Sequence, residues 1–250
     1  MMKLHVIASG SAGNCYVLNG TSSALVIECG VSPDKVFARV DAVPSRIAGA
    51  LVSHEHGDHA GFVKKFAESG INIYTSAGTI DNCRICNRRR VRIMSAMKMY
   101  QVGEFTVRAF DVVHDAAEPL GFIIEHPELG RLLFATDTRF IRYNFHDFKL
   151  NHLMIEANYS EDIISDRTMS GAILPKQADR VRASHLSIKQ ACAFIAANNT
   201  PDLMNVVLIH LSSRNADPDE FTRLAAKNAP FSRVWVARKD LVVELNKSEI

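Results

Sequence analysis

A chain of 250 residues, 47% hydrophobic and 22% charged, can bury a substantial core and fits one domain spanning residues 1–250. A formal net charge of +2 makes no case for a nucleic-acid partner by itself, and no apolar run is long enough to cross a bilayer. Five cysteines, an odd number in a domain of ordinary size, fit a reducing cytoplasmic interior better than a disulfide framework.

The opening Met1-Met2-Lys3-Leu4-His5 leads into a strand, not a signal peptide, and Leu4 to Ala8 reads as that strand. Ser9 to Cys15 is a loop of small polar residues that either offers backbone amides to a ligand or makes a plain turn. Tyr16 to Leu18 and Ala24 to Glu28 follow as antiparallel strands. Ser32-Pro33-Asp34 caps a helix running to about Val40, and Ile47 to Val52 is a short apolar strand.

Next comes Ser53-His54-Glu55-His56-Gly57-Asp58-His59, followed by an amphipathic helix over Ala60 to Ala67 with Gly70 past its end. The cluster therefore sits on a strand-to-helix loop. Imidazoles and carboxylates crowded this closely repel or desolvate one another unless a metal dication gathers them. His54 and His56 alternate and can grip one ion, while Asp58 and His59 can reach a second. Further ligands must come from elsewhere. His114 ends the apolar stretch from Phe105 to Val113, Asp137 follows the strand from Arg131 to Thr136, and His210 follows the strand from Val206 to Ile209. Each places a polar ligand at a strand end, as a site on one edge of a sheet requires.

Between these lie Ile71 to Thr75, Gly121 to Glu125 and Leu153 to Asn158, all read as strands. Cys83-Arg84-Ile85-Cys86 has the spacing of half a zinc ribbon but no second pair. Asn87-Arg88-Arg89-Arg90-Val91-Arg92 is either a phosphate-tracking patch beside the site or a solvated edge. Asp115 and Glu118 either orient His114 or form a solvated turn. His5, His126, His146 and His152 fall outside any ligand group. Ser187 can cap a helix, which puts His185 just before a helix start, where it is a buried structural histidine or a group that binds phosphate or donates a proton.

His-x-His-x-Asp-His after a strand, with a later His, Asp and His at strand ends, resembles the metallo-β-lactamase superfamily. The resemblance implies an α/β (α+β) fold, a four-layer αββα sandwich with two metal ions along one edge. It assigns His54, His56 and His114 to one ion, Asp58, His59 and His210 to the other, and Asp137 to a bridge. The paired segments His185-Leu186-Ser187 and His210-Leu211-Ser212 resemble the nuclease branches, including tRNA-processing RNase Z, in which the first His assists the leaving group. Ala8 to Asn14, His114 to Pro119, Thr136-Asp137-Thr138 and Glu156-Ala157-Asn158 are similar to the single-domain YycJ/WalJ-like branch of DNA exonucleases and related phosphodiesterases. Two positions depart from that pattern, Arg139 where Gly is expected and Tyr159 where His is expected.

Asp137 and His210 are 73 positions apart, too few for the clamping insertion of β-CASP nucleases, and no Gly/Pro-rich arm of the RNase Z kind is present. Substrate capture then falls to short loops or to a second subunit in a homodimer. The expected chemistry is hydrolysis of single-stranded DNA or RNA by a hydroxide bridging two divalent ions, with Asp58 taking its proton and His185 serving the leaving oxygen. Zn²⁺ suits the ligands, and Mn²⁺ or Fe is also accepted by such sites. The rival expectation is a glyoxalase II-like thioesterase, which shares the ligands but predicts neither His185 nor the arginine run. True β-lactamases commonly place Cys at a second-metal position, where this chain has His59.

Overall fold

Alternation within the strands decides the layers. In Gly130–Ala135, Leu132 and Phe134 point to one side and Leu133 and Ala135 to the other, and all four are buried. A strand buried on both faces lies between two layers. The computed structural model describes residues 1–40, 43–83, 85 and 88–247 and supplies those layers. The first sheet contains β1 (Lys3–Ala8), β2 (Cys15–Asn19), β3 (Ala24–Ile27), β4 (Ile47–Leu51), β5 (Ile73–Thr75) and β6 (Val91–Ile93). The second contains β7 (Met99–Val102), β8 (Phe105–Asp111), β9 (Leu120–His126), β10 (Gly130–Ala135), β11 (His152–Glu156), β12 (Asn205–Ile209) and β13 (Arg233–Val236), and β14 (Val242–Glu244) returns to pair with β1. The orders are β14-β1-β2-β3-β4-β5-β6 and β13-β12-β11-β10-β9-β8-β7.

Leu4, Tyr16 and Ile27 of the first sheet meet Val107, Phe122, Phe134 and Val207 of the second in a central core. On the outer face of the first sheet, where α1 (Pro33–Val40), α2 (Gly57–Ala60), α3 (Val63–Glu68) and α4 (Ala77–Cys83) lie, Val26 and Ala50 pack against Val36 of α1 and Phe66 of α3. On the far side, Leu133, Ile155 and Leu208 pack against helices from the set α5 (Glu161–Met169), α6 (Pro175–Ser184), α7 (Ile188–Asn198) and α8 (Pro218–Asn228), through Ile195 of α7 and Phe221 of α8. The result is the expected αββα sandwich. Among the described residues, no helix is long and apolar enough to cross a membrane.

Strands β3 to β6 run parallel, as do β10 to β13. Their carboxyl ends therefore share an edge within each sheet, the usual place for ligands in such sheets. Two local features adjust the sequence reading. Ser187 caps α7 as expected, its Oγ accepting from the Gln190 amide at 3.2 Å. The helix expected over Ala60 to Ala67 is two segments, the first starting at Gly57. The Asp58 carbonyl accepts from the Asn14 amide at 2.7 Å, and the Phe62 amide donates to the Cys29 carbonyl at 2.9 Å. Those two bonds remove one helical pair from the ladder and break the helix there.

Candidate metal centre

Three strand ends turn their acids and imidazoles inward by the same device. Glu28, Asp137 and His210 each follow a strand and take a left-handed backbone, with φ of 69°, 43° and 56°. Non-glycine residues in that region cost energy, and the surrounding fold must hold them there. Gly30 serves the same edge by closeness. A Cβ at Gly30 would lie 1.8 Å from the Asp58 carbonyl oxygen, so only glycine lets that loop lie against the His/Asp loop.

The structure brings all seven expected ligands together in two groups that share Asp137. His54, His56, His114 and Asp137 form one, and Asp58, His59, Asp137 and His210 the other, with one donor atom of each residue within 4.8 Å of the rest. His59 Nε2 is 2.8 Å from Asp137 Oδ2, His54 Nε2 is 3.4 Å from the same oxygen, and His210 Nε2 is 3.2 Å from Asp58 Oδ2. The opposite ring nitrogens are held from behind. His54 Nδ1 faces Ser53 Oγ at 2.9 Å, His114 Nδ1 faces the Ser184 carbonyl at 3.0 Å, and His59 Nδ1 lies 3.5 Å from Glu28 Oε2. The first two contacts are hydrogen bonds of the kind that fix the tautomer of a ligating histidine, whereas Glu28 stands beyond hydrogen-bond reach of His59 Nδ1 among the described residues.

The donor set fits divalent cations. His54 is fully buried, yet its Nε2 makes no hydrogen bond among the described residues. Asp137, Glu28 and Glu156 gather three buried carboxyl groups in a low-dielectric interior, where negative charge demands compensation. Burial works against charging His59 and His210, but Asp137 and neighbouring carboxylates hold both imidazoles well above their usual range. For Asp58, burial opposes ionisation, and His210 and His59 still hold its carboxyl well below the usual range. His54 goes the other way, kept neutral by burial and by His59.

His185 joins the same edge. Its Nδ1 is 2.7 Å from Glu156 Oε1 and 3.4 Å from Asp137 Oδ1. Burial alone would lower this imidazole, but Glu156 and Asp137 raise it to about 9. Glu156 is itself locked, its Oε2 accepting from the Thr138 and Leu186 amides at 3.0 and 3.1 Å. The groups open into a cavity of about 280 Å³, lined among others by Ser11, Asp58, Asp115, Arg180, His185 and His210.

Glu28 is a site residue that the sequence reading passed over as a strand end, and Glu156 one that it quoted only within the segment Glu156-Ala157-Asn158, without a role. The signal was available, since each is an acid closing an apolar strand, as Asp137 follows one. The small-residue loop after β1 does reach the site, through the side chain of Asn14, whose Nδ2 lies 3.1 Å from His59 Nε2 and 3.3 Å from Asp58 Oδ2. Glu118 does not orient His114. It accepts from the Gly78 amide at 2.9 Å, and the Ser184 carbonyl takes its place beside His114.

The arginine run is not beside the site. Arg88–Arg90 precede β6, at its amino end, whereas the His/Asp loop follows the carboxyl end of the parallel strand β4. The run is exposed, and Arg88 pairs with Asp81 at 2.6 Å. Asn87 and Cys86 lie outside the described residues. Of the two departures from the expected pattern, Arg139 is exposed and Tyr159 is buried with Ile164 and Ala178 under α5 and α6. Neither belongs to a ligand group.

A family model described as the beta-lactamase superfamily domain matches residues 25–211. The chain belongs to that family, the metallo-β-lactamase superfamily. Among curated relatives it is 26% identical over 225 residues to exodeoxyribonuclease WalJ of Streptococcus pneumoniae serotype 2 (strain D39 / NCTC 7466), covering 85% of this chain and 82% of the relative. Exodeoxyribonuclease YycJ of Bacillus anthracis is 26% identical over 229 residues, 86% of this chain and 84% of the relative. These are the branch that the sequence resembles. Among solved structures, the metallo-beta-lactamase fold protein YhfI from Bacillus subtilis aligns with a TM-score of 0.75 at 18% identity, over 97% of this chain and 98% of that one.

Proposed function

We propose that this chain, as one domain over residues 1–250, is a cytoplasmic dinuclear-metal hydrolase that cleaves phosphodiester bonds in nucleic acid, in the manner of a DNA exonuclease. The observation that carries the reading is His185, fixed 2.7 Å from Glu156 and lining the cavity into which both ligand groups open. From there it can serve as the proton donor to a leaving oxygen. No large apolar side chain lines that cavity, which suits a charged diester better than an acyl thioester. The curated relatives named as exodeoxyribonucleases support the same chemistry.

In this reading His54, His56 and His114 would hold one ion and Asp58, His59 and His210 the second, with Asp137 available to both groups. Bound divalent ions polarise a phosphoryl oxygen and lower the pKa of water toward neutrality. Asp58 lines the cavity and would orient the attacking water and take its proton. Glu156 and Asp137 favour the protonated form of His185, which would donate to the leaving oxygen while Glu156 fixes its ring. The mixed imidazole and carboxylate set suits Zn²⁺, with Mn²⁺ or Fe as the competing occupants. Strand capture falls to the loops around the cavity, and pairing of two chains would add contacts that sedimentation can detect.

The test loads purified protein separately with Zn²⁺ and Mn²⁺ and offers end-labelled single-stranded DNA, RNA and a thioester, with Asp58→Asn as control. Metal-dependent cleavage of a nucleic acid, lost in the control, is the expected result, and the product ladder gives its direction. Thioester turnover with intact nucleic acid would sink the reading and favour a glyoxalase II-like enzyme.

A further inference from the structure

Beside the metal centre lies a second cleft of about 580 Å³, and Ser11, Arg180 and His185 line both cavities. One wall is α6 with the turn that precedes it, and the other is the loop from Ser212 to Asn215 after β12. We propose that this cleft holds the backbone of a single-stranded nucleic acid entering the metal centre, with Arg180 and Arg214 on its phosphates. The proposal rests on the nuclease reading above and adds the path of the strand.

Charge is the first support. Among the described residues, three arginines line the cleft, Arg167, Arg180 and Arg214, and no aspartate or glutamate does. Arg180 and Arg214 are exposed, and their side chains make no hydrogen bond or ion pair among the described residues. Arg167 bonds only to neutral acceptors, the Arg214 carbonyl at 3.1 Å, Asn215 Oδ1 at 2.6 Å and the Ala172 carbonyl at 3.3 Å. Arg182, two positions beyond Arg180 on the same helix, is spent on Glu161 and Asp179. A cleft with uncompensated positive charge and no acid attracts phosphates. A whole-chain net charge of +2 does not disclose this local excess.

Rigidity is the second support. Tyr159, Ile164 and Ala178 are buried beneath Ile173 and Val181, which ties α5 to α6, while Arg167 pins the opposite loop. The cleft is thus formed before any ligand arrives, which spares the ordering cost of binding. Its chemistry also selects the form of the strand. Ile173 and Val181 line it, and Leu174, next in sequence, is 64% exposed. Apolar ground of this kind receives unpaired bases, whose faces a duplex keeps stacked away.

The experiment measures fluorescence anisotropy of an end-labelled phosphorothioate strand of about 12 nucleotides, within the footprint of single-strand binders. Metal-loaded wild type is compared with Arg180→Ala/Arg214→Ala and with Arg88→Ala/Arg90→Ala across a salt series. The first double variant is expected to bind at least about 10-fold more weakly, with the slope of log affinity against log salt reduced by about 1.4, two phosphate contacts at ~0.7 each. The second should match wild type. Arg180→Lys/Arg214→Lys should keep most of the slope, which separates charge from misfolding. Unchanged affinity and slope in Arg180→Ala/Arg214→Ala, or a duplex bound as tightly as the single strand, would overturn the proposal. Binding that responds as expected while no metal form cleaves an ordinary strand would remove the nuclease reading and keep the cleft. Cleavage with unresponsive binding would remove the cleft alone.

Discussion

At the edge where β6 begins, Arg88 meets Asp81 at 2.6 Å and Arg92 bonds to the carbonyls of Arg89 and Val91. At the edge where β12 ends, Arg180 and Arg214 meet no acid among the described residues. Strand β11 carries a similar contrast within its own length. His152 opens it, buried and set 3.2 Å from Asn205 Nδ2, and Glu156 closes it, gripping His185 and His210. The same side chains are consumed internally at one end and left converging on open space at the other. What separates them is position: parallel strands deliver their carboxyl ends to one edge, where the chain must turn and loops leave a crevice.

The largest expected effect breaks the shared point of the ligand groups. Asp137→Ala should lower hydrolysis by about 10³-fold or more, ~4 kcal/mol in the barrier, and mass spectrometry of the purified variant should find less metal per chain. A fully metallated, active variant would deny Asp137 its place between the groups.

The quiet end of β11 gives the next effect, in stability. Burial lowers His152 from 6.5 to about 4, so the folded state prefers the neutral ring. That contribution is fully present above about pH 6.5 and is lost as the pH falls toward about 4, to a total of about 3 kcal/mol. His152→Gln should flatten the difference in urea midpoint between neutral and acidic buffers relative to wild type. An unchanged pH dependence would mean that His152 takes up its proton in the folded state.

This division between the edges also decides what the sequence could disclose. His54 through His59 stand in one loop, and His114, Asp137 and His210 each follow an apolar run, so periodicity alone points them to an edge. The strands of the core were legible for the same reason. The cleft was not. Helices α5 and α6 bury only Ile164 in the one and Ala178 and Ser184 in the other, so neither shows a broad apolar stripe. Arg180 is therefore indistinguishable in sequence from Arg182, although one is free and the other paired. The run of arginines attracted notice because its members are adjacent, and adjacency in sequence is no guide to which edge of a sheet they reach. The roles of Glu28 and Glu156 went unread because they need partners from distant parts of the chain, Ser53 and His59 for one, His185 and His210 for the other.

Glu28→Gln sharpens the metal edge at smaller scale. The amide keeps the shape and the bond from the Ser53 amide but removes the charge behind His59, so metal affinity should fall by about 10–100-fold in a chelator competition. An affinity equal to wild type would make Glu28 a packing residue.

The smallest effect belongs to the paired edge. Arg88→Ala removes an ion pair whose partners are 62% and 65% exposed, where solvent screens the attraction and ordering two long side chains offsets most of it. Urea unfolding should move by about 0.5 kcal/mol or less, and hydrolysis of a labelled strand should not change. A loss of strand cleavage here comparable to that in Arg180→Ala would mean that nucleic acid runs the full height of the first sheet, from the metal centre to the amino end of β6. The two edges would then serve one ligand, and the distinction between spent and free arginines would lose its meaning.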